Sequence, residues 1–226
     1  MVVHLNSHSH YSFLEGIPSP AELVEKAAQS GMSALALTDT NGLTGAVEFQ
    51  DLCNLNQIQA ILGMECWVVP LEMSQTIQGI EINPPRSPHT AIPPSERLVL
   101  LAENQEGWSN LCWLSSHLHS DPSNSIKPIQ LDDLESHSEG LVCLTAGANS
   151  RTAGQLQQTS LVEENLSTLS QIFTKSLYLN LQIHRPEDIH QVNLLAKMGR
   201  RLNIPLVASH GIYYLNKEET ELQQLV

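Results

Sequence analysis

The chain has few basic residues, no Cys-x-x-Cys pair and no apolar run long enough to cross a membrane, and each absence removes a class of function. Eleven Lys and Arg stand against 24 Asp and Glu, for a formal charge of −13. An acidic surface repels phosphate backbones, so tight binding of nucleic acid by this chain alone is not expected. The four cysteines, Cys53, Cys66, Cys112 and Cys143, sit singly within apolar segments. They predict reduced, buried thiols and a cytoplasmic setting rather than a disulfide framework. No stretch reaches the roughly 18 apolar residues of a membrane span. The start, MVVHLNSHSHYS, lacks the basic region and apolar run of a secretory signal. There is also no P-loop, no G-x-S-x-G elbow and no dinucleotide fingerprint.

What is present is an alternation of short apolar runs with amphipathic segments. With 226 residues and 41% hydrophobic content, the chain can bury one substantial core. Strands are predicted at 3–7, 33–37, 60–69, 98–102, 140–145, 177–183 and 205–209. Helices are predicted at 18–30, 44–56, 106–117, 151–158, 161–174 and 186–202, and a last one begins at 217. Ser19 followed by Pro20 marks a helix start, and Gly31 its end. Repeated strand–helix units predict a parallel sheet, as a barrel or a doubly wound sheet. In both, functional groups gather just after the strands. Residues 71–95, which contain PPRSPHTAIPP, predict a flexible insertion loop within one domain spanning 1–226.

The chemistry-bearing residues follow that rule. His8 and His10 form an H-x-H pair at the end of the first apolar run. In extended backbone both imidazoles would share a face and could approach one ion; two solvated loop histidines would give the same spacing. Asp39 follows the buried strand in ALALTDTNG, as a ligand or catalytic acid would, or as an Asp that turns the chain before Asn41–Gly42. Glu65 interrupts the apolar strand ILGMECWVV. A buried carboxylate has to be paired, hydrogen-bonded or metal-bound. His184 and His210 also follow apolar strands and are candidates to line a site or to cap it. His117, His119, His137 and His190 lie in polar surroundings and are expected at the surface.

Together these elements resemble the PHP (polymerase and histidinol phosphatase) domain of bacterial DNA polymerase III alpha subunits. The matching stretches are HLNSHSHYSFLEG, LVEKAAQSGMSALALTDTNGLTGAVEF, ILGMECWVV, RLVLLAENQEGWSNLCWLSS and RLNIPLVASHGIYYL. The resemblance implies a distorted (β/α)7 TIM-like barrel, the PHP fold. It also implies a cluster of up to three metal ions, used by some members for phosphoester hydrolysis and lost in others. His8, His10, Asp39 and Glu65 match four of the family's metal-binding positions. Others depart. The histidine after the Asp is Thr40 here, the histidine opening the strand of RLVLL is Arg97, and the site cysteine or its substitute falls at or near Gly147. The late Asp-x-His pair falls at Gly211 and Tyr213, with His210 as a substitute ligand. Arg97 carries a permanent charge and no lone pair to donate, so it is expected to neutralise the carboxylates where a cation would stand.

The resemblance therefore implies one zinc or manganese ion at most, too few ligands for a full trinuclear cluster, and a structural or interaction role. Implied partners are the polymerase core of the same or a partner chain and other replisome subunits, with DNA reached only through the parent polymerase and no membrane contact. The alternatives are an active metal-dependent phosphoesterase of the 3'–5' exonuclease type and a small-molecule phosphatase like histidinol phosphatase. The chain ends at ETELQQLV, about where the family's PHP domain gives way to the polymerase palm. It is expected to be either part of a longer protein or a free domain.

Overall fold

A computed structural model describes residues 2–69, 96–120, 126–145 and 159–225. The 71–95 insertion, the helix expected at 151–158 and Gly147 lie outside these residues. In chain order the elements are β1 (Asn6–Ser7), α1 (Pro20–Gln29), β2 (Ala34–Leu37), α2 (Ala46–Leu55), β3 (Gln59–Val68), β4 (Glu96–Ala102), α3 (Gln105–Leu118), α4 (Leu131–Ser136), β5 (Leu141–Thr145), α5 (Thr159–Ile172), β6 (Leu177–Leu181), α6 (Asp188–Leu202), β7 (Leu206–Ala208), β8 (Gly211–Ile212), a 3-10 turn (Lys217–Glu219) and α7 (Thr220–Leu225). They form two compact units, Met1–Glu65 with Ser209–Val226, and Cys66–Ala208.

The first unit pairs its strands in parallel. β1 runs beside β8, Asn6 opposite Gly211 and Ser7 opposite Ile212. β2 runs beside β3, Ala34 opposite Gln59 through Leu37 opposite Leu62. α1 forms as its sequence predicts. The Ser19 hydroxyl accepts the Glu22 amide at 3.2 Å and the Glu22 carboxylate accepts the Ser19 amide at 2.8 Å. This reciprocal cap satisfies two amides that the helix cannot. It also holds the Glu22 carboxyl below its usual range, chiefly through the Ser19 amide. Gly31 at φ +67° closes the helix. Leu23, Val24 and Ala27 on α1 and Phe49 and Cys53 on α2 close over Leu35 and Leu37 of β2. That core backs β2, just past whose end Asp39 stands.

The second unit departs from the expected all-parallel sheet. β5, β6 and β7 run parallel, with Cys143 opposite Leu177 and Leu179 opposite Leu206. β4 and β5 instead pair antiparallel, Leu98 opposite Thr145 and Ala102 opposite Leu141. Their connection carries two helices, α3 and α4, in place of the single return helix of a parallel crossover. The short α4 has no marked apolar face in the sequence and was not expected. α3 approaches the turn before β5 closely. A side chain at Gly107 would overlap the Gly140 carbonyl, and the Asn110 amide donates to Glu139 O at 2.8 Å.

The expectation that His117 and His137 are plain surface residues is corrected. Both are half-buried and stack on Trp113 with ring planes 10° apart. Their spacing along α3 and at the end of α4 puts two imidazoles against one indole, a contact that local polarity does not reveal. His119 and His190 are exposed as expected. All four cysteines are free thiols; three are buried, and Cys112 is half-buried. Burial raises the Cys53 thiol to about 11 and keeps it protonated.

Ser19→Ala removes the hydroxyl half of the α1 cap, and urea unfolding is expected to show a loss of about 1 kcal/mol. An unchanged midpoint would show that the cap does not support this unit.

Candidate functional site

β1 ends at Ser7, and that ending decides where the histidines go. Asn6, His8 and Ser9 are buried, whereas His10 is exposed, its amide bonded to Pro18 O at 2.8 Å and its ring edge against Tyr11. The rule that alternate residues share a face holds only inside a strand. His8 and His10 both lie beyond β1, one buried and the other exposed.

His8 lies fully buried, with Nε2 3.7 Å from Oε2 of Glu65, which is 2% exposed. Tyr213, just past β8, stacks flat on the His8 ring with centroids 4.3 Å apart. Asn6 Nδ2 donates to the same Glu65 oxygen at 3.2 Å, and Thr38 Oγ1 donates to Asn6 Oδ1 at 2.7 Å. Thr40 bridges to Glu65 through the backbone, and the Asn41 amide donates to Glu65 O at 2.7 Å. Asn41 reaches that position with φ +56°, a conformation asparagine tolerates better than most residues.

Asp39 is 2% exposed and both of its oxygens are engaged. Oδ1 accepts the Ser9 amide and the Ser12 hydroxyl, each at 2.6 Å, and Oδ2 accepts the Ser9 hydroxyl at 2.8 Å. These bonds tie Asp39 to the turn that follows β1. Ser12 then links Asp39 to His8. Its single proton goes to Asp39, and it accepts the Thr40 amide at 3.0 Å. The remaining lone pair faces His8 Nδ1 at 3.1 Å. His8 therefore donates from Nδ1, and its other ring nitrogen is Nε2. That atom has no hydrogen-bond partner among the described residues. A lone pair facing a carboxylate oxygen becomes attractive only when a proton or a metal ion bridges them.

Thr40 donates to Glu15 Oε2 at 2.6 Å. Arg97 belongs to the second unit, half-buried, its guanidinium carbon 5.8 Å from the Trp67 ring centre. His184 is exposed; its Nε2 lies 3.2 Å from Gln182 Oε1 and its amide donates to Asp188. His210 is exposed and lies near enough to His4 to lower its pKa, although burial of His4 is the larger cause. Ser9, Ser12, Asn6 and Glu15 were not singled out in the sequence. The signal for the serines was available: Ser9 and Ser12 sit one and four residues after His8, the spacing of a turn rather than a strand.

A metal cluster of the family type fits this arrangement poorly. Zinc and manganese need four or more donors. Here His8 Nε2 and Glu65 face each other, Asp39 already accepts three hydrogen bonds and His10 is exposed. Among the described residues no three His, Cys, Asp or Glu side chains gather as a metal site.

The profile of the PHP domain family matches residues 4–184. DNA polymerase III subunit alpha of Treponema pallidum is 35% identical over 234 residues, covering 99% of this chain and 19% of that protein. The same subunit of Chlamydia trachomatis is 30% identical over 239 residues, covering 95% of this chain and 18% of that protein. The chain thus spans about a fifth of the length of these curated relatives. An amidohydrolase from Chromobacterium violaceum, solved with sulfate and no metal, is similar in fold with a TM-score of 0.57 at 12% identity, over 93% of this chain and 87% of that one. A two-domain protein from Bacteroides vulgatus, containing a predicted PHP-like metal-dependent phosphoesterase, gives a TM-score of 0.53 at 12% identity, over 93% of this chain and 51% of that one. These structural likenesses show the fold, and the alpha/beta PHP class expected from the sequence is the one found.

Ser12→Ala strips His8 Nδ1 and the Thr40 amide of their shared acceptor. Each buried group left unsatisfied is costly, so a loss of about 3 kcal/mol is expected in chemical denaturation. The intact chain should show His8 protonated at Nδ1 in 15N NMR; an Nε2-only tautomer would contradict the assignment of Ser12.

Proposed function

Because the chain belongs to the PHP domain family, and its relatives are DNA polymerase III alpha subunits, we propose that it serves a bacterial replicative polymerase as a structural or interaction domain with a reduced metal site. The observation that carries this reading is the state of Asp39. A carboxylate whose two oxygens already take three hydrogen bonds from Ser9 and Ser12 has little left to offer an ion. Two-metal hydrolysis needs one ion to generate hydroxide and another to stabilise the leaving oxygen. His8 and Glu65 supply donors for one zinc or manganese ion at most, and Arg97 has no lone pair to add. No catalytic step is assigned to these residues.

The net charge of −13 supports contact with DNA through the rest of a polymerase rather than directly. Polymerase core and replisome subunits are the proposed partners. The setting is proposed to be the cytoplasm: the cysteines are free, and among the described residues no helix is long and apolar enough to cross a membrane. Residues 1–226 are read as one PHP domain, with 71–95 as its insertion.

A second reading has one specific observation behind it. His8 Nε2 lacks a hydrogen-bond partner and faces Glu65, as a ligand awaiting an ion would. It would make the chain a metal-dependent phosphoesterase. Hydrolysis of a generic phosphodiester and of a primer 3' end, with manganese added, separates the two. The structural reading expects no turnover above background. Clear turnover that disappears in His8→Ala would establish the phosphoesterase.

A further inference from the structure

The turn after β1 carries an apolar tip. Tyr11, Phe13 and Leu14 are 39%, 83% and 41% exposed. Single exposed apolar residues are ordinary on a protein surface; three within four residues of a pinned turn are not. Ser12, between them, is buried and bonded to Asp39 and to the Thr40 amide. Its carbonyl accepts the Glu15 amide at 2.9 Å and the Gly16 amide at 3.0 Å. Any side chain at Gly16 would overlap the Ser9 carbonyl. Leu14 is held at φ +60°, in the left-handed region that leucine rarely adopts. Tyr11 reaches the start of α2, where its hydroxyl donates to Glu48 at 3.2 Å and the neighbouring Val47 is exposed. The tip is thus fixed in shape, with Phe13 its most exposed side chain.

Neither Phe13 nor Leu14 belongs to the core of the first unit, so packing within that unit does not account for them. An aromatic side chain presented by a fixed loop is what an interface anchor requires, because little freedom is lost when it is buried. The charge around the tip narrows the partner. The carboxylates beside it are Glu15, which takes the Thr40 hydroxyl, and Glu48, which takes that of Tyr11. The chain as a whole carries −13. That field repels DNA and anionic membranes. A protein surface with an apolar pocket and a rim of Lys or Arg is its complement. The polymerase relatives have room for such a surface: this chain covers 19% of the Treponema pallidum subunit, and about four-fifths of that polypeptide lies outside the match. Given the polymerase reading proposed above, we infer that the Tyr11–Leu14 tip is a docking element, anchored by Phe13, for a basic-rimmed apolar pocket in the polymerase polypeptide outside this domain.

The test is hydroxyl-radical footprinting, read by mass spectrometry, on two proteins: this chain alone, and a full-length subunit in which this chain replaces the matching part of the Treponema pallidum protein. At equal radical dose, oxidation of Phe13 is expected to fall about 5-fold or more in the full-length protein, because an anchor is shielded from water. Phe13→Asp puts a charge into an apolar pocket, so it should return Tyr11 of the full-length protein to its rate in the isolated chain. Phe13→Leu should leave Tyr11 protected. In the isolated chain Phe13→Asp should not move the urea midpoint, because the side chain is exposed. Equal oxidation of Phe13 in the two proteins, Tyr11 protection that survives Phe13→Asp, or a lowered urea midpoint would each overturn the inference. Phosphodiester turnover that disappears in His8→Ala would overturn the structural reading instead, so the two failures are told apart.

Discussion

One hydroxyl organises the polar heart of the first unit. Ser12 gives its proton to Asp39 and takes protons from the Thr40 amide and the His8 ring. Those three bonds join the turn after β1 to the segment after β2, around a histidine with no exposure to solvent. Hydrogen bonds to a charged acceptor are stronger than neutral ones, so Asp39 anchors the arrangement. The carboxylate that sequence spacing offers as a ligand also holds its own loop in place.

Glu65 solves its burial differently. Asn6 donates to it, and His8 faces it with Nε2 at 3.7 Å. Tyr213 stacks flat on the His8 ring. The polymerase relatives and the fold likeness set the family context, but the residues around His8 decide what this member can bind. Their sum is a site organised mainly by serine, threonine and asparagine.

Most of the elements were legible because their signals were local. Ser19 and Pro20 start α1, Gly31 ends it, and the apolar stripe of Leu23, Val24 and Ala27 is the face that the core buries. Asp39 and Glu65 were legible as residues that interrupt apolar strands and need partners. What was not legible depends on where a strand stops. β1 is two residues long, so the face-sharing assumed for His8 and His10 ends before it reaches either of them. The antiparallel pairing of β4 with β5 was hidden because α4 leaves no periodic mark in the sequence. The role of Ser12 was hidden for a related reason: serine carries no charge and announces nothing until a carboxylate and an imidazole converge on it.

The count of bound ions tests the central claim most directly, namely that serine hydroxyls have displaced metal from Asp39. Purified chain is equilibrated with zinc or manganese, freed of loose ions and analysed by elemental mass spectrometry. The account predicts no more than one ion per chain. Two or three tightly held ions per chain would mean that Asp39 gives up its serine partners to a metal cluster, and would contradict it.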